Sequence, residues 1–139
     1  MHRCLIIANQ TISSPRLLAE VLTRRANDDC AFHVLVPATH PHGSAMWTEG
    51  QGIAHARAAL EHALEHFRAE GIEATGEVGD ANPVLAVVDV LNRQGFDEII
   101  LSTLPPGVSK WLKRDLPRRL ARRFGLPVTH VVATHERVS

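Results

Sequence analysis

Residues 98–120 read EIILSTLPPGVSKWLKRDLPRRL. Ile99 to Leu101 are apolar and suit a short strand. Ser102 and Thr103 break that run, Leu104 to Gly107 form a turn, and a basic amphipathic helix follows over about Ser109 to Phe124. A strand, two small hydroxyls, a glycine-containing turn and a helix start are the parts from which an open α/β sheet builds an anion site. The first backbone N–H groups of a helix have no partner inside it and favour negative charge. Open α/β sheets bind ligands beyond the carboxyl ends of their strands. The stretch therefore places the candidate site where this strand ends.

The rest of the chain repeats the alternation. Cys4 to Ala8 is a continuous apolar run suited to a strand buried on both faces. Ser14 and Pro15 mark a helix start, with Ser14 as N-cap and a helix to about Ala26. Cys30 to Val36 is a second strand, stopped by Pro37. A loop runs from Ala38 to about Gln51, with Trp47 expected to anchor it. A long helix from about Gly52 to Glu70 carries an apolar stripe through Ile53, Ala56, Leu60, Ala63, Leu64 and Phe67, and ends at Gly71. Ile72 to Val78 is a weak third strand suited to a sheet edge. Gly79 to Pro83 is a turn and helix start, Val84 to Asn92 a helix, Glu98 to Leu101 the fourth strand and Pro127 to Ala133 the fifth. Strands alternating with helices require a parallel sheet covered on both faces. Residues 1–139 make one domain.

The formal net charge is zero, which gives no electrostatic case for nucleic acid. No apolar run is long enough to span a membrane. The expected location is the cytoplasm, and Cys4 and Cys30 are expected to be buried thiols.

In that order, the chain resembles the universal stress protein family over nearly its whole length. CLIIANQT stands where that family has a first strand ending in Asp-Gly-Ser, GDANP resembles its turn before the third helix, FDEIILST its fourth strand, and GLPVTHVV its last strand. The resemblance implies a five-stranded doubly wound sheet, Rossmann-like, of order 3-2-1-4-5. It also implies a homodimer through the last strand, Val128 to Val132. ATP-binding members carry Gly-x2-Gly-x9-Gly-Ser/Thr after the fourth strand. That spacing falls on Leu104, Gly107, Pro117 and Arg118, so Gly107 alone is kept. Pro117 has no N–H to give a phosphate oxygen, and Leu104 adds a side chain where close approach was needed. The acidic residue ending the first strand is here Asn9, which both donates and accepts hydrogen bonds. The polar groups expected around a ligand are Asn9, Thr11, Ser102, Thr103, Gly107, Ser109 and Arg118, and the candidate cofactor is ATP or another adenine nucleotide.

Two other features carry chemistry. The basic helix holds Lys110, Lys113, Arg114, Arg118, Arg119, Arg122 and Arg123 opposite an apolar face that includes Val108, and reads as a solvated face. A patch for phosphate groups is its other reading. His62-Ala63-Leu64-Glu65-His66 matches the zinc motif H-x-x-E-H. At 100° per residue these three polar side chains lie off the helix's apolar centre, facing solvent without a cleft. His40 and His42 read as an exposed loop pair, and His33 and His130 as hydrogen-bonded strand residues. No nucleophile and base share a motif. The sequence thus points to a non-enzymatic binding or regulatory module, dimeric, with an altered nucleotide site. The alternative is a stress protein that holds a nucleotide or a small phosphate ligand by altered contacts.

Overall fold

A computed structural model of the chain describes residues 1–9, 11–27, 29–38, 49–107, 109 and 110–133, with the side chains of Asn27, Glu49, Lys110 and Lys113 excepted. The expected loop with its Trp47 anchor, the pair His40 and His42, Val108 and the polar tail from His135 lie outside the described residues. Five strands, β1 (His2–Ile7), β2 (Cys30–Pro37), β3 (Ala74–Gly79), β4 (Glu98–Thr103) and β5 (Val128–Val132), form one sheet of order β3-β2-β1-β4-β5. Every neighbouring pair is parallel. The helices are α1 (Pro15–Asn27), α2 (Glu49–Ala69), α3 (Pro83–Leu91), α4 (Lys110–Lys113) and α5 (Leu116–Phe124). The expected α/β architecture and strand order are those observed.

The strand sequences explain the two layers. Alternate residues of a strand face opposite sides of the sheet. Cys4, Ile6 and Ala8 pack with Leu17 and Val21 of α1 and with Ala56, Leu60, Ala63 and Phe67 of α2. Leu5, Ile7, Ile99 and Leu101 pack with Val84, Ala86, Val87 and Val90 of α3 and with Leu116 and Leu120 of α5. Strands covered on both faces read as unbroken apolar runs, as Cys4 to Ile7 of β1 and Ile99 to Leu101 of β4 do. Gly79 lets α3 sit close: a Cβ there would lie 2.8 Å from Leu35 Cδ1 and 2.9 Å from Ala86 Cβ.

Several expectations are corrected: β4 runs on through Ser102 and Thr103 instead of breaking there, and Cys30 is half-buried rather than buried. Ile72 is not part of β3. Its N–H donates to Phe67 O at 2.8 Å, and Gly71 N–H donates to Arg68 O at 2.9 Å, with Gly71 at φ +75°. This is the Schellman closure of α2, in which an apolar residue after the glycine packs back on the helix. The basic helix from Ser109 to Phe124 is also two helices. Asp115 stands at φ 55°, in the left-handed region that non-glycine residues seldom adopt, and α5 starts afresh behind it with Pro117 in its first turn. Proline is tolerated there because those N–H groups have no helical partner.

Ion pairs tie the elements from outside the apolar layers. Arg24 of α1 donates from Nε to Glu98 Oε1 at 3.0 Å, from NH1 to Glu20 at 2.5 Å and from NH2 to Thr129 Oγ1 at 2.9 Å. His33 of β2 meets Thr75 Oγ1 at 2.7 Å and Glu77 Oε1 at 2.9 Å on β3, and Arg93 binds both oxygens of Glu77. His33 is thus the hydrogen-bonded strand residue expected.

These carboxylates set an acid limit. Burial raises the Glu98 carboxyl, but hydrogen bonds from His2 and Arg24 outweigh it and hold the group below its ordinary 4.5. Burial likewise raises Glu77, and Arg93 and His33 bring it below 4.5. A carboxyl with a depressed folded pKa stabilises the fold above its unfolded value, and that contribution is lost as pH falls through the folded one. Desolvation of its covered part lowers the otherwise exposed His130 from 6.5, so the unfolded chain takes that proton first and stability also falls, weakly, with pH below 6.5. Urea melts at a series of pH values should show stability falling from about pH 6.5 and more steeply below about pH 4.5. A flat profile down to pH 3 would contradict these assignments.

Candidate functional site

The site is built where β1 and β4 stop. These neighbouring strands have their next neighbours on opposite sides, so the chain's crossovers leave the sheet in two directions there. Such a switch point opens a crevice at the carboxyl ends. Asn9 follows β1 and is buried, and its Nδ2 donates to Pro37 O at 2.5 Å. That bond ties the end of β1 to the end of β2 and leaves Asn9 Oδ1 as an acceptor for a ligand hydroxyl. Tight turns follow, with Ile12 N–H donating to Asn9 O and Ser14 N–H to Thr11 O. Ser14 Oγ then accepts from Arg16 N at the start of α1, as its expected N-cap role requires.

The turn swings Thr11 over β4, where its Oγ1 lies 2.6 Å from Ser102 Oγ. Ser102 is fully buried and Thr11 nearly so. A hydroxyl carries one proton and two acceptor lone pairs. One proton of this pair makes the shared hydrogen bond, and the other remains for a ligand oxygen. Among the described residues neither hydroxyl has a second partner.

Thr103, next on β4, donates from Oγ1 to Leu104 O at 3.0 Å, so His130 Nε2, 2.7 Å away on β5, is the donor in their bond. His130 is exposed, and its neutral ring keeps Nδ1 as an acceptor. The sequence marked His130 as a hydrogen-bonded strand residue but not as a neighbour of the site. Its only available signal was register, since His130 pairs with Leu101 on β4.

The remaining candidates do not join this group by hydrogen bonds. Gly107 has φ +88°, which explains the glycine, and a Cβ there would meet open space. Ser109 is buried and caps α4 by accepting from Leu112 N at 3.2 Å. The helix that starts after Gly107, α4, spans four residues, and Ser109 already satisfies one of its N–H groups. The longer helix is α5, and its N-terminus differs in charge. Pro117 removes one N–H from its first turn, Asp115 places a carboxylate at its N-cap, and Arg118 Nε lies 3.6 Å from that carboxylate. The Asp-Leu-Pro run was the available signal, since proline inside a helical pattern marks a boundary.

The zinc-like trio does face solvent: His62, Glu65 and His66 are all exposed on α2. The described part of the basic stretch is also solvated, with Arg114, Arg118, Arg119, Arg122 and Arg123 exposed. A cleft of about 440 Å³ lies between α2 and α3 at the β3 edge, where Arg57 and Arg93 face Glu77, Asp80 and Asp89. Its mixed charges select no ligand class.

Comparison with solved structures gives this architecture the fold of the universal stress proteins. The chain is similar to a universal stress protein from Archaeoglobus fulgidus, with TM-score 0.61 and 16% identity over 94% of this chain and 93% of that one. It is also similar to a universal stress protein family protein from Arabidopsis thaliana, solved with AMP bound, with TM-score 0.62 and 10% identity over 97% of this chain and 94% of that one. No protein-family model matches the sequence, and no curated protein matches it. Among the described residues, no helix is long and apolar enough to cross a membrane.

Proposed function

We propose that this chain is a universal stress protein of the nucleotide-binding type whose switch-point crevice takes an adenine mononucleotide rather than ATP in the glycine-cradled pose. The observation that carries the reading is the contrast between the two halves of the site. On the nucleoside side, Asn9 Oδ1 offers an acceptor in place of the family's acidic residue, and the buried Thr11–Ser102 pair offers a hydroxyl proton. We read the phosphate half as altered, since Pro117 subtracts a donor from the first turn of α5 and Asp115 puts a carboxylate at its N-cap. The AMP bound to the Arabidopsis protein supports the ligand class. We read the protein as a binding module rather than an enzyme: among the described residues no base is hydrogen-bonded to the Thr11 or Ser102 hydroxyl.

Calorimetric titration tests the reading. AMP should bind at least as tightly as ATP, and Thr11→Val, which deletes the hydroxyl at constant shape, should weaken AMP by roughly tenfold, about what one hydrogen bond contributes. ATP binding well ahead of AMP, or AMP binding untouched by Thr11→Val, would overturn it.

The last strand supports a dimer. β5 is a sheet edge, and an unpaired edge offers its N–H and C=O groups to another chain. Light scattering should return twice the 15.3 kDa of one chain, and a monomer across the micromolar range would remove this part of the proposal. The functional setting is a cytoplasmic stress response.

A further inference from the structure

The opposite end of the sheet holds a cluster the nucleotide reading does not use. His2 and Cys4 are two residues apart on β1 and so share a face. Cys4 is in register with Glu98 on β4. One ligand atom from each of His2, Cys4 and Glu98 lies within 4.8 Å of the others, with Cys4 and Glu98 buried and His2 half-buried. We propose that His2, Cys4 and Glu98 form a binding site for a zinc-class divalent ion, at the amino ends of β1 and β4.

The donor set defines the class. Imidazole and thiolate suit zinc and cobalt, whereas magnesium and calcium take oxygen ligands. An ion bonded at about 2.0–2.3 Å to each donor holds those donors about 3–4 Å apart, so binding requires the three donors, within 4.8 Å of one another, to adjust to that spacing. The surroundings are those that orient ligands. Ligating carboxylates and imidazoles are held by outer partners. Arg24 Nε holds Glu98 Oε1 at 3.0 Å, so Oε2 is the oxygen turned toward His2 Nε2, 2.5 Å away. Asp97 Oδ2 lies 3.8 Å from His2 Nδ1, on the far side of the ring. Arg24 is in turn neutralised by Glu20. Its charge therefore does not oppose a cation whose two positive charges are matched by Glu98 and a Cys4 thiolate.

Binding exchanges the Cys4 thiol proton for the ion and opens the His2–Glu98 hydrogen bond to admit it. Three protein ligands leave a fourth position. Cys30, in register with His2 on β2, is the nearest further thiol on that strand, and its Sγ donates to Arg24 O at 3.5 Å. The half-buried ring of His2 is the entrance. His62 and His66, one helical turn apart on exposed α2, are the obvious competing site and supply the control.

The test is a cobalt(II) titration of the full chain, without added N-terminal residues, after chelator treatment. A thiolate ligand gives cobalt a near-ultraviolet charge-transfer band that histidines alone cannot produce. We expect the band to grow to one equivalent, to vanish in Cys4→Ser, and to persist in Cys30→Ser and in the His62→Ala/His66→Ala double variant. His2→Ala, at a partly exposed position, should weaken cobalt binding at least about tenfold. It decides the matter should Cys4→Ser fail to fold. No band, a band that survives Cys4→Ser, or unchanged affinity in His2→Ala would overturn the site.

Discussion

Replacing Glu98 by alanine is expected to lower the unfolding free energy by about 3 kcal/mol, the low end of the cost of breaking a buried ion pair. Glu98 is the buried carboxylate on which α1, β1 and β4 converge, through Arg24 and His2. Removing it strands Arg24, whose guanidinium is mostly covered. Glu20 and Thr129 remain as partial partners, which places the cost at the lower end of the range. For a chain of 139 residues that is a drop of roughly 10 °C in Tm. Glu98→Gln, which keeps the shape and a hydrogen-bonding oxygen, should cost less than alanine. Thermal and urea melts at neutral pH decide it, and an alanine variant within 1 °C of the parent would show that the network contributes nothing.

Leu120→Ala is expected to cost about 3 kcal/mol as well, through lost burial and a residual cavity. Its local consequence is sharper. With nine residues, α5 is too short to be stable alone, and its polar face carries four exposed arginines. Leu116 and Leu120 are its buried anchors against β4 and α3. With one anchor truncated, the α5 amides should exchange with solvent far faster than those of β1 or β4. Ala121→Ser, one position on and exposed, should change stability by less than about 0.5 kcal/mol. Uniform loss of protection across the sheet in Leu120→Ala would mean α5 is not a separately anchored element.

The architecture was legible because alternation in the sequence and alternation in space are the same fact. CLIIA and the IIL of residues 99–101 lack polar residues, so they belong in a sheet covered twice, and the intervening helices supply the covers. Half of the site was legible for the same reason: Asn9, Thr11, Ser102 and Thr103 each follow or end a central strand, and parallel strands bring such residues to one crevice. What escaped depended on contacts across the chain. Arg24 and Glu98 are 74 residues apart, and nothing in either neighbourhood names the other. His130 meets Thr103 only through the β4–β5 register. The split of the basic helix was different, because Asp115-Leu116-Pro117 carried the signal and a continuous amphipathic stripe masked it.

Under the proposed function the crevice holds the nucleoside while the triphosphate pose is lost. A crystal structure of the protein grown with ATP tests it most directly. An adenine nucleotide is expected against Asn9, Thr11 and Ser102, with no phosphate packed on Gly107 or on the first turn of α5. A triphosphate lying along Gly107, with its terminal phosphate bound by the amides around Pro117, would contradict it.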